Sequence, residues 1–220
     1  MEIGIVGGTG PAGTALAARL ASVGLTVFVG SRSRYRAMEA TDGVLERWPD
    51  RELDIRAVDN HGAAGAKFIV LATPWEAAAV TARSVEDQLS GKIVVTMANA
   101  LERVGNEFIP LIPPRGSVAA SVQAVVPKCR VAAAFQHVPA NELGDLDHPV
   151  ESDVLICSDH REVATEVAEL VNLIPGFRAL DCGELSNATA IEAFTAVLLQ
   201  LNVRYNTRVA LKLIGIPDDV

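Results

Sequence analysis

Four short groups of residues in this sequence have the types and spacing needed for chemistry at a bound nucleotide. The first is Gly8-Thr9-Gly10-Pro11-Ala12-Gly13, between the apolar run 1–7 and the Ala/Leu-rich run 14–20. A G-x-G-x-x-G segment between a strand and a helix is typical of a pyrophosphate-binding turn. We expect Gly8 to form the tight turn, Gly10 to admit the pyrophosphate, and Gly13 to allow close helix–strand packing.

We predict that all six residues of this turn, Gly8 to Gly13, contact the cofactor. The free N–H groups and the partial positive charge at the start of the following helix would face its phosphates. Pro11 suits a first helical turn. A glycine-rich turn without a ligand is the alternative interpretation, but the position of the motif and its flanks favour nucleotide binding.

The second group lies at the end of the next predicted strand, 25–29, where the chain reads Gly30-Ser31-Arg32-Ser33-Arg34. Strands that bind NAD carry a carboxylate at this point for the ribose 2′-hydroxyl. The sequence has no Asp or Glu here, and a hydroxyl with a guanidinium suits a 2′-phosphate. We therefore predict NADP, bound by Ser31 and Arg32 with support from Arg36, and we expect Arg34 to lie on a solvated helix face.

Two further segments follow predicted strands and should reach the same sheet edge. Thr73 and Pro74 end the strand 67–72, where a cofactor ribose or nicotinamide would lie, although a turn anchored by Trp75 is the alternative. His137 follows the strand 130–135 and precedes Val138 and Pro139. A histidine at a strand end is a candidate ligand or proton donor.

Composition excludes several classes of protein. Of 220 residues, 50% are hydrophobic and 21% are charged, so a large core is expected and disorder is not. The net charge of −8 argues against a nucleic-acid-binding protein. Three widely spaced cysteines, without metal-binding spacing, predict no metal site and a reducing, cytoplasmic location. We find no signal peptide and no apolar run that would span a membrane.

Short β-branched runs alternate with helical stretches along most of the chain. This pattern predicts an α/β fold of the Rossmann type, with a doubly wound, mostly parallel sheet. We predict two parts: a nucleotide-binding domain at 1–182 and a small C-terminal helical segment at 183–220 that closes the substrate cleft. The alternation ends near Cys182 and Gly183.

The stretch 186–214 reads as one long helix with apolar residues spaced by three and four. We expect Gly215 and Pro217 to stop it. Its apolar stripe either packs on its own domain, closes the ligand cleft or contacts a second subunit. Ser186 and Asn187 either cap this helix or bind a substrate.

The sequence resembles the NADPH-dependent reductases of the deazaflavin coenzyme F420 over nearly its whole length. The stretches that match are Gly7-Gly8-Thr9-Gly10 with Gly13, Val29-Gly30-Ser31-Arg32, Thr73-Pro74-Trp75, His137-Val138-Pro139-Ala140 and Asp181-Cys182-Gly183-Glu184-Leu185-Ser186-Asn187.

The resemblance implies direct hydride transfer between NADP(H) and F420 by a homodimer. It also implies that Thr9, Ser31 and Arg32 contact NADP. On the substrate side it places the His137 run and the Ser186-Asn187 segment near the deazaflavin.

Two stretches depart from the pattern of this family: 97–103, which contains Asn99, and the Pro-rich loop 108–117. Two alternative functions therefore stay open. One is NADP-dependent reduction of another small carbonyl or imine, although the Tyr-x-x-x-Lys pattern of short-chain reductases is absent from the sequence. The other is an NADP-sensing module without turnover.

Overall fold

The short apolar runs form strands in the computed structural model, which describes residues 1–217. In chain order the strands are β1 (Glu2–Val6), β2 (Thr26–Ser31), β3 (Ile55–Asp59), β4 (Phe68–Leu71), β5 (Ile93–Thr96), β6 (Leu101–Val104), β7 (Glu107–Pro110), β8 (Arg130–Ala133), β9 (Ser152–Ser158) and β10 (Phe177–Asp181). Eight of them form one sheet in the order β10-β9-β8-β5-β4-β1-β2-β3, and β6 pairs with β7 in a separate hairpin.

Helices cover both faces of this sheet. They are α1 (Pro11–Ser22), α2 (Arg34–Arg47), α3 (Asn60–Ala64), α4 (Trp75–Ser84), α5 (Glu86–Leu89), α6 (Val118–Val125), α7 (Ala140–Leu143), α8 (Arg161–Asn172) and α9 (Ala188–Tyr205). One apolar cluster packs α1, α7 and α8 on the first face. A second cluster packs α3, α4, α5, α6 and the start of α9 on the other face. The predicted α/β fold is confirmed.

Strand direction brings the ends of six strands together. β3, β2, β1, β4, β5 and β8 are parallel, so their carboxyl ends meet at one edge, which we call the carboxyl edge. β9 runs antiparallel to β8, and β10 is parallel to β9. The residues after β8 therefore run beside the first half of β9, which places His137 next to Asp153.

The prediction of one helix over 186–214 is wrong. A 3₁₀ turn (Leu185–Asn187) leads into α9, which ends at Tyr205 because Asn206 adopts a left-handed φ of 47°. Residues 207–217, which we call the C-terminal strap, return to the sheet, where Leu211 O accepts the Asp153 N–H bond at 2.7 Å. The predicted C-terminal segment is thus helical only in its first half, and its last three residues, 218–220, lie outside the described part.

A buried ion pair holds the strap. The Arg178 guanidinium lies 2.8 Å and 2.7 Å from the two oxygens of Asp153, and both residues are buried. Asp153 also accepts the Leu213 N–H bond, while Arg178 donates to the carbonyl oxygens of Leu213 and Ile216. Burial alone would raise the pKa of Asp153, but Arg178 and the Leu213 N–H together hold it below its ordinary value. Because these contacts hold Leu213 beside β9 and β10, the residues after Asn206 do not continue the helix.

Two local predictions also need correction. The Pro-rich loop predicted over 108–117 begins inside the hairpin, where β7 pairs with β6 around a two-residue turn at Gly105 and Asn106. The stretch 76–89, which a helical sequence pattern would make one helix, is interrupted at Val85, which separates α4 from α5.

Glu192 attaches α9 to the core. Its side chain is 4% exposed and accepts hydrogen bonds from the N–H groups of Val118 at 2.8 Å and Ala119 at 3.2 Å, at the start of α6. Burial raises the pKa of Glu192 to about 7, although the two hydrogen bonds act in the opposite direction. The carboxyl group therefore changes charge near neutral pH while it stays in a buried contact between two helices.

Gly4 gives the first test of this packing. A Cβ atom at Gly4 would lie 1.9 Å from Ala63 O, whereas one at Gly43 in α2 would meet nothing within 4 Å. We expect Gly4→Ala to lower the free energy of unfolding by about 3 kcal/mol through overpacking. The control Gly43→Ala should raise it by about 0.5–1 kcal/mol. Urea denaturation measures both, and a Gly4→Ala protein as stable as the wild type would contradict the close contact of α3 with β1.

Glu192 gives a second test, with a defined direction in pH. Because its folded-state pKa of about 7 lies above its ordinary value of 4.5, the stability that it contributes is present below about pH 4.5. That contribution is lost as the pH rises through about 7, at a cost of about 3 kcal/mol. Glu192→Gln should remove this loss. Equal pH slopes of unfolding free energy for the two proteins, measured by urea denaturation, would contradict it.

Candidate functional site

The glycine turn joins β1 to α1 at the carboxyl edge. Gly7 has a φ of 70°, a conformation that side chains disfavour, and the Gly8 N–H donates to Gly30 O at 2.9 Å. A Cβ atom at Gly13 would lie 2.6 Å from Gly8 O, so α1 packs against the turn only with glycine there. A Cβ atom at Gly10 would meet nothing within 4 Å, so the turn is open on that side.

The first turn of α1 is suited to an anion. Gly10 is its N-cap residue and has no side-chain hydrogen bond to the helix, and Pro11 occupies the first position. The side chain of Thr14 turns back to the carbonyl oxygen of Gly10 at 3.1 Å. The N–H groups of such a turn and the helix dipole favour a phosphate.

A cavity of about 790 Å³ opens beside the glycine turn. This volume is in the range of small-molecule sites. It brings together residues that the sequence predicted for the cofactor: Thr9, Ser31, Arg32, Arg36, Thr73 and Pro74. Of the other predicted turn residues, Pro11 lines a second, smaller cavity of about 360 Å³ between α1, α2 and α7, which also reaches Thr9.

The end of β2 is positively charged at this cavity. Ser31 is buried and its hydroxyl accepts the Ser33 N–H bond at 3.3 Å, while Arg32 and Arg36 are exposed. Asp59, the partner of Ser31 on β3, instead accepts the Gly62 N–H bond at 2.7 Å as the N-cap of α3. Glu76 in α4 supplies a carboxylate to the lining. Two guanidinium groups therefore lie with one carboxylate around this cavity.

Two parts of the lining were not predicted from the sequence. Asn60, at the start of α3, is buried and accepts the Gly7 N–H bond at 3.1 Å, so it joins β3 to the glycine turn. The second part is one face of α4, formed by Ala77, Val80, Thr81 and Ser84. These four residues follow one another at intervals of three, one and three positions, which places them on one face of a helix. The sequence could therefore have predicted this face once Thr73 and Pro74 were assigned to the site. For Asn60, the one sequence feature that could have pointed to the site is its position directly after a strand.

His137 is buried rather than open to the cavity. Its side chain is 3% exposed, and Nε2 lies 2.9 Å from Asp153 O. A carbonyl oxygen accepts, so Nε2 carries the proton and Nδ1 is left as an acceptor. Burial lowers the pKa of His137 below its ordinary value, which keeps the ring uncharged at neutral pH. Val138 is also buried, and Pro139 precedes α7.

Ser186 and Asn187 lie in the 3₁₀ turn before α9, and neither lines the two cavities described above. The Asn187 side chain donates to Cys182 O at 2.7 Å, and Ser186 is exposed. The α9 residue that reaches the residues after β8 is Thr195, whose hydroxyl lies 3.5 Å from Gln136 O. The structure thus does not bring Ser186 and Asn187 together with the predicted cofactor residues.

The cysteines have the environment of core residues. Burial raises the pKa of the Cys129 thiol to about 11 and that of Cys157 to about 12. Within residues 1–217 we find no group of three or more His, Cys, Asp or Glu side chains placed to hold a metal ion. No helix in the same range is both long enough and apolar enough to cross a membrane.

Comparison with known proteins agrees with this geometry. Residues 2–100 match the family described as NADP oxidoreductase coenzyme F420-dependent. The F420-dependent NADP reductase of Methanocaldococcus jannaschii is 39% identical over 213 residues, which cover 94% of this chain and 95% of that protein. The reductase of the same name from Methanothermobacter thermautotrophicus is 35% identical, with 99% and 97% covered.

A solved structure shares the fold. The putative F420-dependent NADP reductase of Arthrobacter sp. FB24 superposes with a TM-score of 0.82 over 97% of this chain and 100% of that one, at 21% identity. The level of identity to the two archaeal proteins, over nearly their full length, establishes more than a shared fold. This chain belongs to the family of F420-dependent NADP reductases.

Proposed function

We propose that this protein transfers a hydride directly between NADP(H) and coenzyme F420. The observation that carries the proposal is the cavity beside an uncapped helix start, with Ser31, Arg32 and Arg36 at one end of it, in a member of this family. When held by these residues, NADPH would supply a hydride from C4 of its nicotinamide for C5 of the deazaflavin. The protein's own task is to hold the two rings together and to exclude water.

The residues present fit NADP better than NAD. The start of α1, with Thr9 and the residues from Gly8 to Gly13, holds the pyrophosphate. The Ser31 hydroxyl and the Arg32 guanidinium bind the 2′-phosphate, with Arg36 adding charge. Asp59, the register partner of Ser31 on β3, caps α3 by accepting the Gly62 N–H bond and does not line this cavity.

Thr73 and Pro74 continue the site along the carboxyl edge. Both follow β4, the strand next to β1, and line the same cavity. The Thr73 hydroxyl is buried without a hydrogen-bond partner among the described residues. We assign to these two residues the ribose or ring at the nicotinamide end.

On the substrate side, we propose that His137, Val138 and Pro139 border the deazaflavin. His137 orients the acceptor and does not protonate it, because its Nε2 proton is held by Asp153 O. We propose that Ser186 and Asn187 contribute by fixing the start of α9. Residues 183–220 then act as the part that borders the cleft, with α9 as its helical portion.

We also propose a homodimer that uses the outer face of α9. Phe194 is 39% exposed and Val197 is 49% exposed in α9, which packs along β7, and Ile109 of β7 is exposed as well. Apolar side chains grouped in this way are typical of a subunit contact.

The described cysteines are unpaired, which supports a reducing, cytoplasmic location.

The function is tested by mixing the protein with NADPH and F420 and following the absorbance of both. We expect the two to change together in a one-to-one ratio. NADPH oxidation that requires a carbonyl or imine instead, or NADPH binding without turnover of any acceptor, would contradict the proposal.

Arg32 tests the choice of NADP over NAD. Arg32→Ala should raise the KM for NADPH by about 10–100-fold, because charge-assisted hydrogen bonds of about 1.5–3 kcal/mol are lost. The KM for NADH should not change. Arg34→Ala is the matched control, since Arg34 is exposed and does not line the cavity. Retention of the NADPH preference in Arg32→Ala would show that Arg32 does not bind the phosphate.

Val197 tests the dimer. Val197→Glu places a charge in the apolar face of α9, and light scattering should show that the mass falls from a dimer to a monomer. Leu173→Glu is the control, since Leu173 is equally exposed at the end of α8. A monomeric wild type, or a dimer that tolerates Val197→Glu, would overturn this interface.

A further inference from the structure

The backbone after β8 is strained at one residue. Phe135 has a φ of 65°, in the left-handed region that a bulky side chain disfavours, and it is buried. Such a conformation is unfavourable and persists where the surroundings enforce it, which is often at a ligand site. The turn at Phe135 decides where the next residue, Gln136, is placed.

The backbone of Gln136 is held from two sides. Its carbonyl oxygen accepts from Asn99 Nδ2 at 2.6 Å and lies 3.5 Å from the Thr195 hydroxyl. Asn99 belongs to the segment after β5, and Thr195 belongs to α9. Two elements distant in sequence thus fix the position of this one residue.

The side chain of Gln136, unlike its backbone, is not held by hydrogen bonds to the described residues. It is 5% exposed, yet neither Oε1 nor Nε2 has a hydrogen-bond partner among residues 1–217. Each buried polar group that lacks a hydrogen-bond partner carries an energetic cost. An apolar side chain of the same length would fill this volume without that cost, so packing alone does not explain a glutamine here.

Similar unpaired atoms mark the neighbouring strand ends. Thr73 Oγ1 follows β4, Asn99 Oδ1 follows β5, and His137 Nδ1 follows β8. These are three adjacent strands of the sheet, spaced about 5 Å apart. The unpaired atoms therefore extend along the carboxyl edge from the cavity beside the glycine turn towards Gln136.

We infer that the side-chain amide of Gln136 binds the ring of one of the two reactants through a carbonyl adjacent to an N–H. This inference rests on the proposed function. Nε2 donates to such a carbonyl and Oε1 accepts from such an N–H, so a primary amide complements the pair. The nicotinamide carboxamide has this chemistry, and so does the cyclic amide of the deazaflavin. Asn99 and Thr195 act as positioning residues, since they hold the Gln136 backbone.

The test compares Gln136→Met with Gln123→Met. Gln123 is the matched control, because its amide is paired: Nε2 donates to Cys129 O and Oε1 accepts from Val131 N, both at 3.0 Å. For the protein without ligands, we expect Gln136→Met to keep or raise the melting temperature, because an unpaired amide is removed. Gln123→Met should lower it and leave affinities unchanged.

Two affinity measurements identify the ligand. The Kd for NADPH is measured by its fluorescence without F420, and the KM for F420 is measured at saturating NADPH. An increase of about 10-fold in one of them for Gln136→Met is expected, as for the loss of one or two hydrogen bonds. An increase in the Kd for NADPH assigns the nicotinamide carboxamide as the ligand of Gln136. An increase in the KM for F420 assigns the cyclic amide of the deazaflavin.

Unchanged Kd and KM in Gln136→Met would overturn the inference. A fall in melting temperature like that of Gln123→Met would also overturn it, because Gln136 would then serve folding, for example through a buried water. If wild-type protein binds NADPH but does not turn over F420, the proposed function fails. The NADPH measurement on Gln136→Met then still decides whether this amide binds the nicotinamide.

Discussion

The close approach of α1 to β1 at the glycine turn is the constraint on which the rest of the site depends. Gly13 lies against the backbone of Gly8, where an added Cβ atom would be 2.6 Å from the carbonyl oxygen. This contact brings the uncapped start of α1 to the carboxyl edge. The Gly7 N–H, held by Asn60, and the Gly8 N–H, held by Gly30 O, then fix the turn from the start of α3 and from β2. The turn is left open on the side of Gly10, where an added Cβ atom would meet nothing within 4 Å.

The reversed strands β9 and β10 form the other half of the architecture. Because β9 passes antiparallel beside the residues after β8, His137 is fixed by Asp153, and Asp153 is fixed by Arg178 and the C-terminal strap. Strap, ion pair and imidazole are therefore in continuous contact. Replacing only one member of a buried ion pair is costly, because the other charge is left unpaired. The end of the chain thus supports the segment that we assign to the acceptor.

Local patterns were enough to predict the sheet, the glycine turn and the charge at the end of β2, because each depends on residues close in sequence. Features that depend on distant contacts were not predicted. The end of α9 at Tyr205 is decided by Asn202, which accepts the Val209 N–H bond, and by the pairing of the strap with Asp153. The link from Asn60 to Gly7 spans 53 positions. The hairpin around Gly105 and Asn106 was readable as a two-residue turn and was missed in a Pro-rich context.

Direct transfer of a hydride between the two rings is the central claim, and isotope labelling tests it most directly. The protein is given NADPH that carries deuterium at both C4 positions, with F420 as the acceptor, and the reduced deazaflavin is analysed by mass spectrometry. We expect one deuterium in each reduced F420 molecule. Reduced F420 without deuterium would contradict it, since the hydride would then have exchanged with solvent or come from another donor.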